Sequence, residues 1–419
     1  MVISICSLFF KSNSGNMLIK NLSLNETVLE KCILYFFKLS GIATLNFDFK
    51  LSTNRSKKFS STFTRSKTGI AYNAALISLI TIVTNYLIEF QINHNMYKNF
   101  YDKLDIGYAA LISVTAVLIL VKFSFQQEKT LTIANELNEI RDSLSLNDCS
   151  VDGKGHALRR FIVLVFLAHF LFLTILFSTS YVLNNTTINI VRTTLNYIAI
   201  YLSNFIMHSM MLQYSIILKL IEHLSRGIND DLVEFSRPPQ GLNSLTFTKK
   251  TTSQRVGQLA NLRKNFSSLC KVSQDVSEFY SWPMLLCLSC NFIAFVRAAF
   301  YIAMPIVHGT DAFTANIYVR CCCYISHNAF SLIILTKSVT ASMTENRKTR
   351  EIVNDCIENC DDQEILKKLE KFSCYLMHKK ITFSVFNLFS LDESLLMSVI
   401  GSITTYLVII LQFQNNNAE

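Results

Sequence analysis

The chain has 419 residues, half of them apolar and only 16% charged, with a mean hydropathy of +0.32; an ordinary soluble domain carries about 25% charged residues. That deficit and the long apolar runs point to lipid as the solvent, while 11 Gly and 4 Pro exclude a loop-rich, disordered or collagen-like chain. The net charge of +9 is spread through polar loops, with no compact basic stripe interleaved with aromatics, so nucleic acid is not an expected partner.

In chain order, residues 1–10 lack a basic leading region and make a poor secretory signal, so membrane entry is expected through the first spanning helix. Residues 28–45 are apolar but short and carry Lys31 and Lys38, which predicts an interfacial helix. Seven runs then reach the ~20 residues that a hydrocarbon core requires. They cover 69–90, 104–125, 161–183, 188–221, 281–307, 313–339 and 391–413, and the fourth is too long for one crossing. Between the fourth and fifth lies a polar linker at 227–252 containing Arg237-Pro238-Pro239-Gln240-Gly241. Trp282-Pro283 stands where the fifth run enters the membrane and marks either a hinge or a helix boundary. Residues 345–380 are charged, with Leu366, Leu369, Phe372, Cys374 and Leu376 at helical period, and predict a cytoplasmic helix feeding the last span.

Lys and Arg set the orientation. They crowd the segment before the first run (Arg55, Lys57, Lys58, Arg65, Lys67) and the second, fourth and sixth loops, where Arg159, Arg160, Arg263, Lys264, Arg347 and Lys348 lie. The alternate loops are almost bare. The expectation is an all-α membrane protein with seven transmembrane helices, a cytoplasmic N-terminus, an extracellular C-terminus and cytoplasmic helical extensions. Asn184 and Asn185 head two overlapping glycosylation sequons on the expected outer side.

No GxSxG, HExxH or Walker loop is present, so an enzyme is not expected. Cys356-x3-Cys360 and Cys374-x3-His378 space metal-ligand types at i,i+4, but reduced, unliganded thiols are the expected state; no metal and no cofactor are anticipated. His208, alone in the middle of its run, is expected to be a packed, hydrogen-bonded residue. Ionisable groups inside spans are candidates for function. Glu89, Asp105, Arg192, Arg297 and Arg320 fall on outer halves, with Tyr108, Tyr181, Tyr197, Tyr201, Tyr318 and Tyr324 nearby in depth. The arginines would either hold a ligand's polar groups or pair with Glu89 and Asp105.

The C-terminal run reads Thr405-Tyr406, five apolar residues, then Gln412-Phe413, preceded by Phe386-Asn-Leu-Phe-Ser-Leu-Asp-Glu-Ser-Leu-Leu396. This pattern, closing a seventh span, resembles the signature of insect gustatory receptors. The resemblance covers the whole chain in architecture and about the last thirty residues in motif. It implies a chemosensory, ligand-gated, non-selective cation channel in the plasma membrane of chemosensory neurons. The implied assembly is a homo- or heterotetramer, with a small-molecule tastant as ligand and bitter compounds slightly preferred over sugars.

On that likeness, residues 1–68 are a cytoplasmic N-terminal region and 69–339 hold six spans with an outward ligand pocket. Residues 340–390 form a cytoplasmic anchor and 391–419 the pore-lining helix and tail. Ile409, Gln412 and Phe413 are the implied pore and gate positions, and Thr405 and Tyr406 couple the helix to its neighbours. Arg192, Tyr197, Arg297, Tyr318, Arg320 and Tyr324 are the ligand-pocket candidates. Two alternatives stand beside this reading. A G-protein-coupled receptor needs an outside N-terminus, which the basic loops oppose. A transporter would show internal repeats, and none is seen.

Overall fold

The computed structural model describes residues 35–43, 45–48, 62–93, 100–144, 152–184, 190–237, 248–308 and 315–416. In lipid every backbone N–H and C=O has to be satisfied within the segment, and helices do that. The long apolar runs accordingly form helices α1 (Lys67–Asn93), α2 (Phe100–Phe125), α4 (Asp152–Asn184), α5 (Ile190–Ser236), α6 (Thr248–His308), α7 (Ala315–Glu358) and α9 (Ser394–Asn416). Two polar helices, α3 (Gln127–Leu144) and α8 (Gln363–His378), lie between them.

Among the described residues, five helices are long and apolar enough to cross a membrane: α1, α2, α6, α7 and α9. In α4, the described part of the apolar run is Arg160–Leu176. Helix α5 falls outside that group for a physical reason. It is the central helix, sharing its most extensive contact with α7 and also packing on α1, α2 and α6. Its buried faces carry Ser203, Asn204, His208, Ser209 and Gln213 beside Ile206, Met210 and Ile217. Polar groups surrounded by protein lower a helix's hydropathy without exposing it to lipid.

Two of the expected boundaries move. Helix α5 continues through Gly227 to Ser236 and α6 begins at Thr248, so the linker is confined to 237–247, of which 238–247 lie outside the described residues. Helix α6 also runs unbroken through Pro283. Packing on both sides holds it there: Tyr280 stacks on Tyr214 with centroids 4.6 Å apart, and Phe123 meets Phe279 at 5.2 Å. Trp282-Pro283 is therefore not a helix boundary.

The expected interfacial segment is described only from residue 35. Residues 35–39 make one helical turn whose Phe36 and Phe37 are buried in the bundle while Tyr35 and Leu39 stay exposed. Phe36 meets Phe166 edge-on at 4.7 Å and Phe205 at 5.2 Å. Gly41 ends the turn at φ +74°, and a Cβ there would sit 2.5 Å from Leu120 Cδ2 and 2.6 Å from Asn73 Oδ1. Asn73 Nδ2 donates to the Gly41 carbonyl at 2.8 Å, closing the segment onto α1. Only glycine meets both the backbone sign and the close approach. Beyond it, β1 (Leu45–Asp48) pairs antiparallel with β2 (Thr62–Arg65), and Arg65 forms an ion pair with Glu128 of α3.

Helix α8 is an amphipath. Asp362 caps it, accepting hydrogen bonds from Glu364 N at 2.9 Å and Ile365 N at 3.4 Å. Its buried stripe is Ile365, Leu369, Phe372 and Leu376, so the inward register takes Ile365 in place of Leu366 and leaves Cys374 exposed.

A short hairpin of β3 (Ser384–Val385) and β4 (Phe389–Ser390) then turns the chain into α9. Leu388 N donates to Val385 O at 2.9 Å across Phe386 and Asn387, which sit at φ 50° and 58°. Positive φ at both central residues is a type I′ turn, which suits Asn but is sterically unusual for Phe. The Phe386 N–H donates to Ser281 Oγ of α6 at 2.8 Å, which fixes the strained residue in place. Asp392 begins the last helix, accepting from Ser394 N at 3.0 Å, and hydrogen bonds from Ser394 and Ser390 hold its carboxyl below the usual aspartate range.

Candidate functional site

At the end of the bundle away from α8, four helices bring one charged pair and a set of tyrosines together. Asp105 and Tyr108 stand one turn apart on α2, Arg297 and Tyr301 one turn apart on α6, Tyr324 on α7 and Asn204 on α5. Arg297 Nη1 donates to Asp105 Oδ1 at 2.7 Å. Its guanidinium carbon lies 4.6 Å from the Tyr108 ring centroid, 5.3 Å from that of Tyr324 and 5.9 Å from that of Tyr301. A cation over ring faces with little water nearby is attracted by about 2 kcal/mol or more per favourable contact.

Tyr108 and Tyr324 are joined hydroxyl to hydroxyl, and the Tyr108 hydroxyl also reaches Asn204 Oδ1 at 3.3 Å. The Arg297 side chain is 16% exposed and Asp105 48% exposed, so the pair grades from bundle to solvent. One donor, Arg297 Nε, is buried with no protein acceptor. The arrangement can orient a small molecule that offers an acceptor to the guanidinium and a flat face to the tyrosines.

The ligand-pocket candidates are placed as follows. Arg297 and Tyr324 are inside this group. Tyr318 and Arg320 are half-buried on the first turns of α7, with Arg320 close enough for its charge to act on Tyr301. Arg192 and Tyr197 lie on α5, with side chains outside the described set. Asn184 ends α4, its side chain likewise outside that set, and Asn185 lies outside the described residues. Glu89 is exposed on α1, and Arg297 is paired with Asp105.

Asp105, Tyr108, Tyr301 and Asn204 complete the group, and Tyr301 and Asn204 were absent from the sequence reading. Their only signal is spacing: Asp105/Tyr108 at i,i+3 and Arg297/Tyr301 at i,i+4 share helix faces. Nothing in the sequence marks which faces meet.

The second feature is α9. No residue of its apolar window, Ser394–Gln412 with mean hydropathy 2.1, is buried. Ser402, Thr405, Tyr406, Ile409 and Gln412 are all exposed along it, and the Phe413 side chain lies outside the described set. Thr405 Oγ1 donates back to Gly401 O at 3.0 Å, while the Tyr406 ring packs edge-on against Phe292 of α6 at 5.5 Å. Helix α9 thus touches its own bundle along α6 and little else.

On the α8 side of the bundle, α5 and α7 are clamped together. Glu345 accepts from Lys348 Nζ at 2.9 Å and Arg226 Nη2 at 3.4 Å, and Glu222 accepts from Arg226 at 2.8 Å and Lys219 at 2.6 Å. Asn229 Nδ2 donates to the Glu345 carbonyl at 2.9 Å, and Thr349 Oγ1 donates to Asn229 Oδ1 at 2.6 Å. Burial opposes the Glu345 charge, but the Lys348 ammonium, then Arg226 and Asn229, outweigh it and hold the carboxyl below the usual glutamate range. Cys356 is buried beside Leu232, and Cys374 and His378 are exposed. No three His, Cys, Asp or Glu side chains among the described residues are arranged to hold a metal ion.

A profile of the family described as 7tm Chemosensory receptor matches residues 30–417. The chain belongs to that family. Curated relatives from Drosophila melanogaster include putative gustatory receptor 28b, 26% identical over 36% of this chain and 33% of its own length. The gustatory receptor for bitter taste 66a is 24% identical over 42% of this chain and 34% of its own. The gustatory receptor for sugar taste 43a is also 24% identical, over 42% of this chain and 41% of its own. The matched stretches thus span about a third of the relatives' lengths. The insect olfactory receptor OR5 from Machilis hrabei superposes with a TM-score of 0.61 at 13% identity, covering 93% of this chain and 99% of that one. The same receptor in complex with eugenol gives 0.56 at 12%.

This chemosensory receptor therefore has the seven-helix fold of insect olfactory receptors, with α1, α2, α4, α5, α6, α7 and α9 as the membrane helices. It is a multi-pass membrane receptor of a chemosensory family, not a member of an enzyme family.

Proposed function

We propose that this receptor is a subunit of a ligand-gated, non-selective cation channel in the plasma membrane of chemosensory neurons, with no catalytic role. The N-terminus is cytoplasmic, as the basic loops require. Four copies, identical or from related receptors, surround a pore lined by α9, and a small-molecule tastant binds at the Arg297 group. Binding opens the channel by favouring the open state over the closed one.

The observation that carries this reading is the last helix, which buries no residue of its apolar window and meets its own bundle mainly along α6. A helix with Ser, Thr, Tyr and Gln along one side is costly against lipid on all faces. It is satisfied when that side meets water and neighbouring copies. Ile409 and Phe413, one turn apart, then form apolar rings that close by dewetting, with Gln412 at the outer mouth. The solved complex of an olfactory receptor of this fold with eugenol supports small-molecule recognition. Three tyrosine rings around the guanidinium favour aromatic bitter compounds over sugars, although the relatives include receptors for both tastes.

The pore assignment is tested by comparing ion permeability in Gln412→Ala and Ile409→Ala channels. Both variants are expected to reach the surface, since these side chains are exposed. Gln412→Ala should change relative cation permeability, and Ile409→Ala should raise the current without ligand. Permeation and resting current identical to the parent in both would place the pore elsewhere.

A further inference from the structure

One helical turn inward from the Arg297 group, three histidines from three helices meet inside the bundle. His169 comes from α4, His208 from α5 and His327 from α7, and they are 2%, 1% and 1% exposed. Their ring centroids lie 4.2 Å (His208–His327), 5.3 Å (His169–His327) and 6.4 Å (His169–His208) apart. His327 Nε2 and His169 Nδ1 are 3.3 Å apart and share one hydrogen. His169 Nε2 and both nitrogens of His208 have no partner.

Aromatic rings surround the cluster. Phe36 of the N-terminal turn, Phe170 of α4 and Phe205 of α5 lie 5.8, 6.5 and 6.2 Å from His169, and Phe172 of α4 lies 5.7 Å from His327. Ser331 bonds to the His327 carbonyl, not to its ring. Among the described residues, the charges that act on these imidazoles are the imidazoles themselves; no carboxylate, ammonium or guanidinium reaches them from α4, α5, α7 or the N-terminal turn.

A purely structural role fits this cluster poorly. Leaving a buried polar atom without a partner costs about 1–3 kcal/mol each, and phenylalanine would fill the same space without that cost. A transition-metal site fits poorly too, since no three ligating groups here are arranged around one point. A proton needs only what the cluster has, which is a donor–acceptor pair of nitrogens and further free lone pairs.

We propose that His169, His208 and His327 form a proton-operated latch. Neutral, the three rings close α4, α5 and α7 against the N-terminal turn. A proton taken from water onto a free ring nitrogen adds one positive charge with no counter-charge in reach, and the cage opens to hydrate it. His208 lies at i+4 from Asn204 and His327 at i+3 from Tyr324, so the opening displaces the helix faces that carry the Arg297 group. The latch rests on packing and holds whether or not that group takes a ligand.

The sign follows from an imidazole's ordinary protonation near ~6.5. The closed packing accommodates only neutral rings, so its stability is full above that value and is lost as pH falls through and below it. The test is thermal unfolding of the purified full chain in nanodiscs at about pH 7.5 and about pH 5, with His208→Phe alongside. The parent midpoint is expected to drop on acidification and the variant midpoint to drop distinctly less. Where the variant does not fold, histidine ¹⁵N NMR of the unaltered chain decides: all three neutral at the higher pH, at least one charged at the lower. Equal acid shifts in parent and variant, three rings that stay neutral, or signals that respond to added zinc and not to pH would each overturn the latch.

Discussion

Asp105→Leu is expected to strip the receptor from the cell surface, and adding Arg297→Leu is expected to bring it back without its ligand response. Arg297 is mostly buried and Asp105 accepts from it at 2.7 Å. Removing one partner of a buried pair leaves an uncompensated charge at a cost of roughly 3–5 kcal/mol, whereas replacing both by apolar groups is often neutral. The half-exposed Asp105 puts the loss toward the lower end of that range. The double variant restores packing but removes the guanidinium beneath Tyr108 and Tyr324 that would orient the ligand. Surface labelling separates folding from response in the same cells. A double variant that responds like the parent would remove Arg297 from the binding site.

Asn229→Leu should loosen the clamp between α5 and α7 and reduce folded receptor several-fold. Asn229 is 5% exposed and serves two partners at once, the Glu345 carbonyl and the Thr349 hydroxyl. The leucine cannot replace either bond, which leaves Thr349 Oγ1 only its longer contact to the Glu345 carbonyl at 3.4 Å; a poorly paired buried group costs about 1–3 kcal/mol. The same clamp predicts acid lability. Glu345 is held below the usual glutamate range, so its contribution is complete above ~4.3, the ordinary value, and is lost as pH falls through its lowered one. Glu345→Gln should flatten that part of the profile. Thermal unfolding of solubilised protein across pH measures both effects; an unchanged midpoint in Asn229→Leu would show that the clamp does not hold the helices.

Much of the architecture was legible because lipid imposes a strong length and composition filter. Helices α1, α2, α6, α7 and α9 announce themselves as apolar runs, and the Thr405-Tyr406 to Gln412-Phe413 motif identifies the last one. The central helix was harder to delimit. Gly227 reads locally as the start of a linker, yet α5 passes through it because Leu232 and Phe235 beyond it are buried in the core. Pro283 reads as a hinge or a helix boundary, yet the helix continues through it beside the Tyr214–Tyr280 stack.

The sites were legible only as lists of residue types. Arg297 had Glu89 and Asp105 as possible partners, and the choice between them depends on which faces of α2 and α6 meet across 192 residues of chain. His208 read as a lone packed histidine. It has two more histidines against it, drawn from helices whose sequences give no sign of the meeting. The β3–β4 hairpin was missed because Phe386 at positive φ violates local preference and is held by a hydroxyl on α6.

The most direct test of the channel reading is whole-cell recording from cells that express this chain alone, with G-protein signalling blocked, during perfusion of bitter compounds and sugars. A tastant-evoked cation current that persists under the block is the expected result. A response that disappears with the block would contradict it and assign the seven helices to metabotropic signalling.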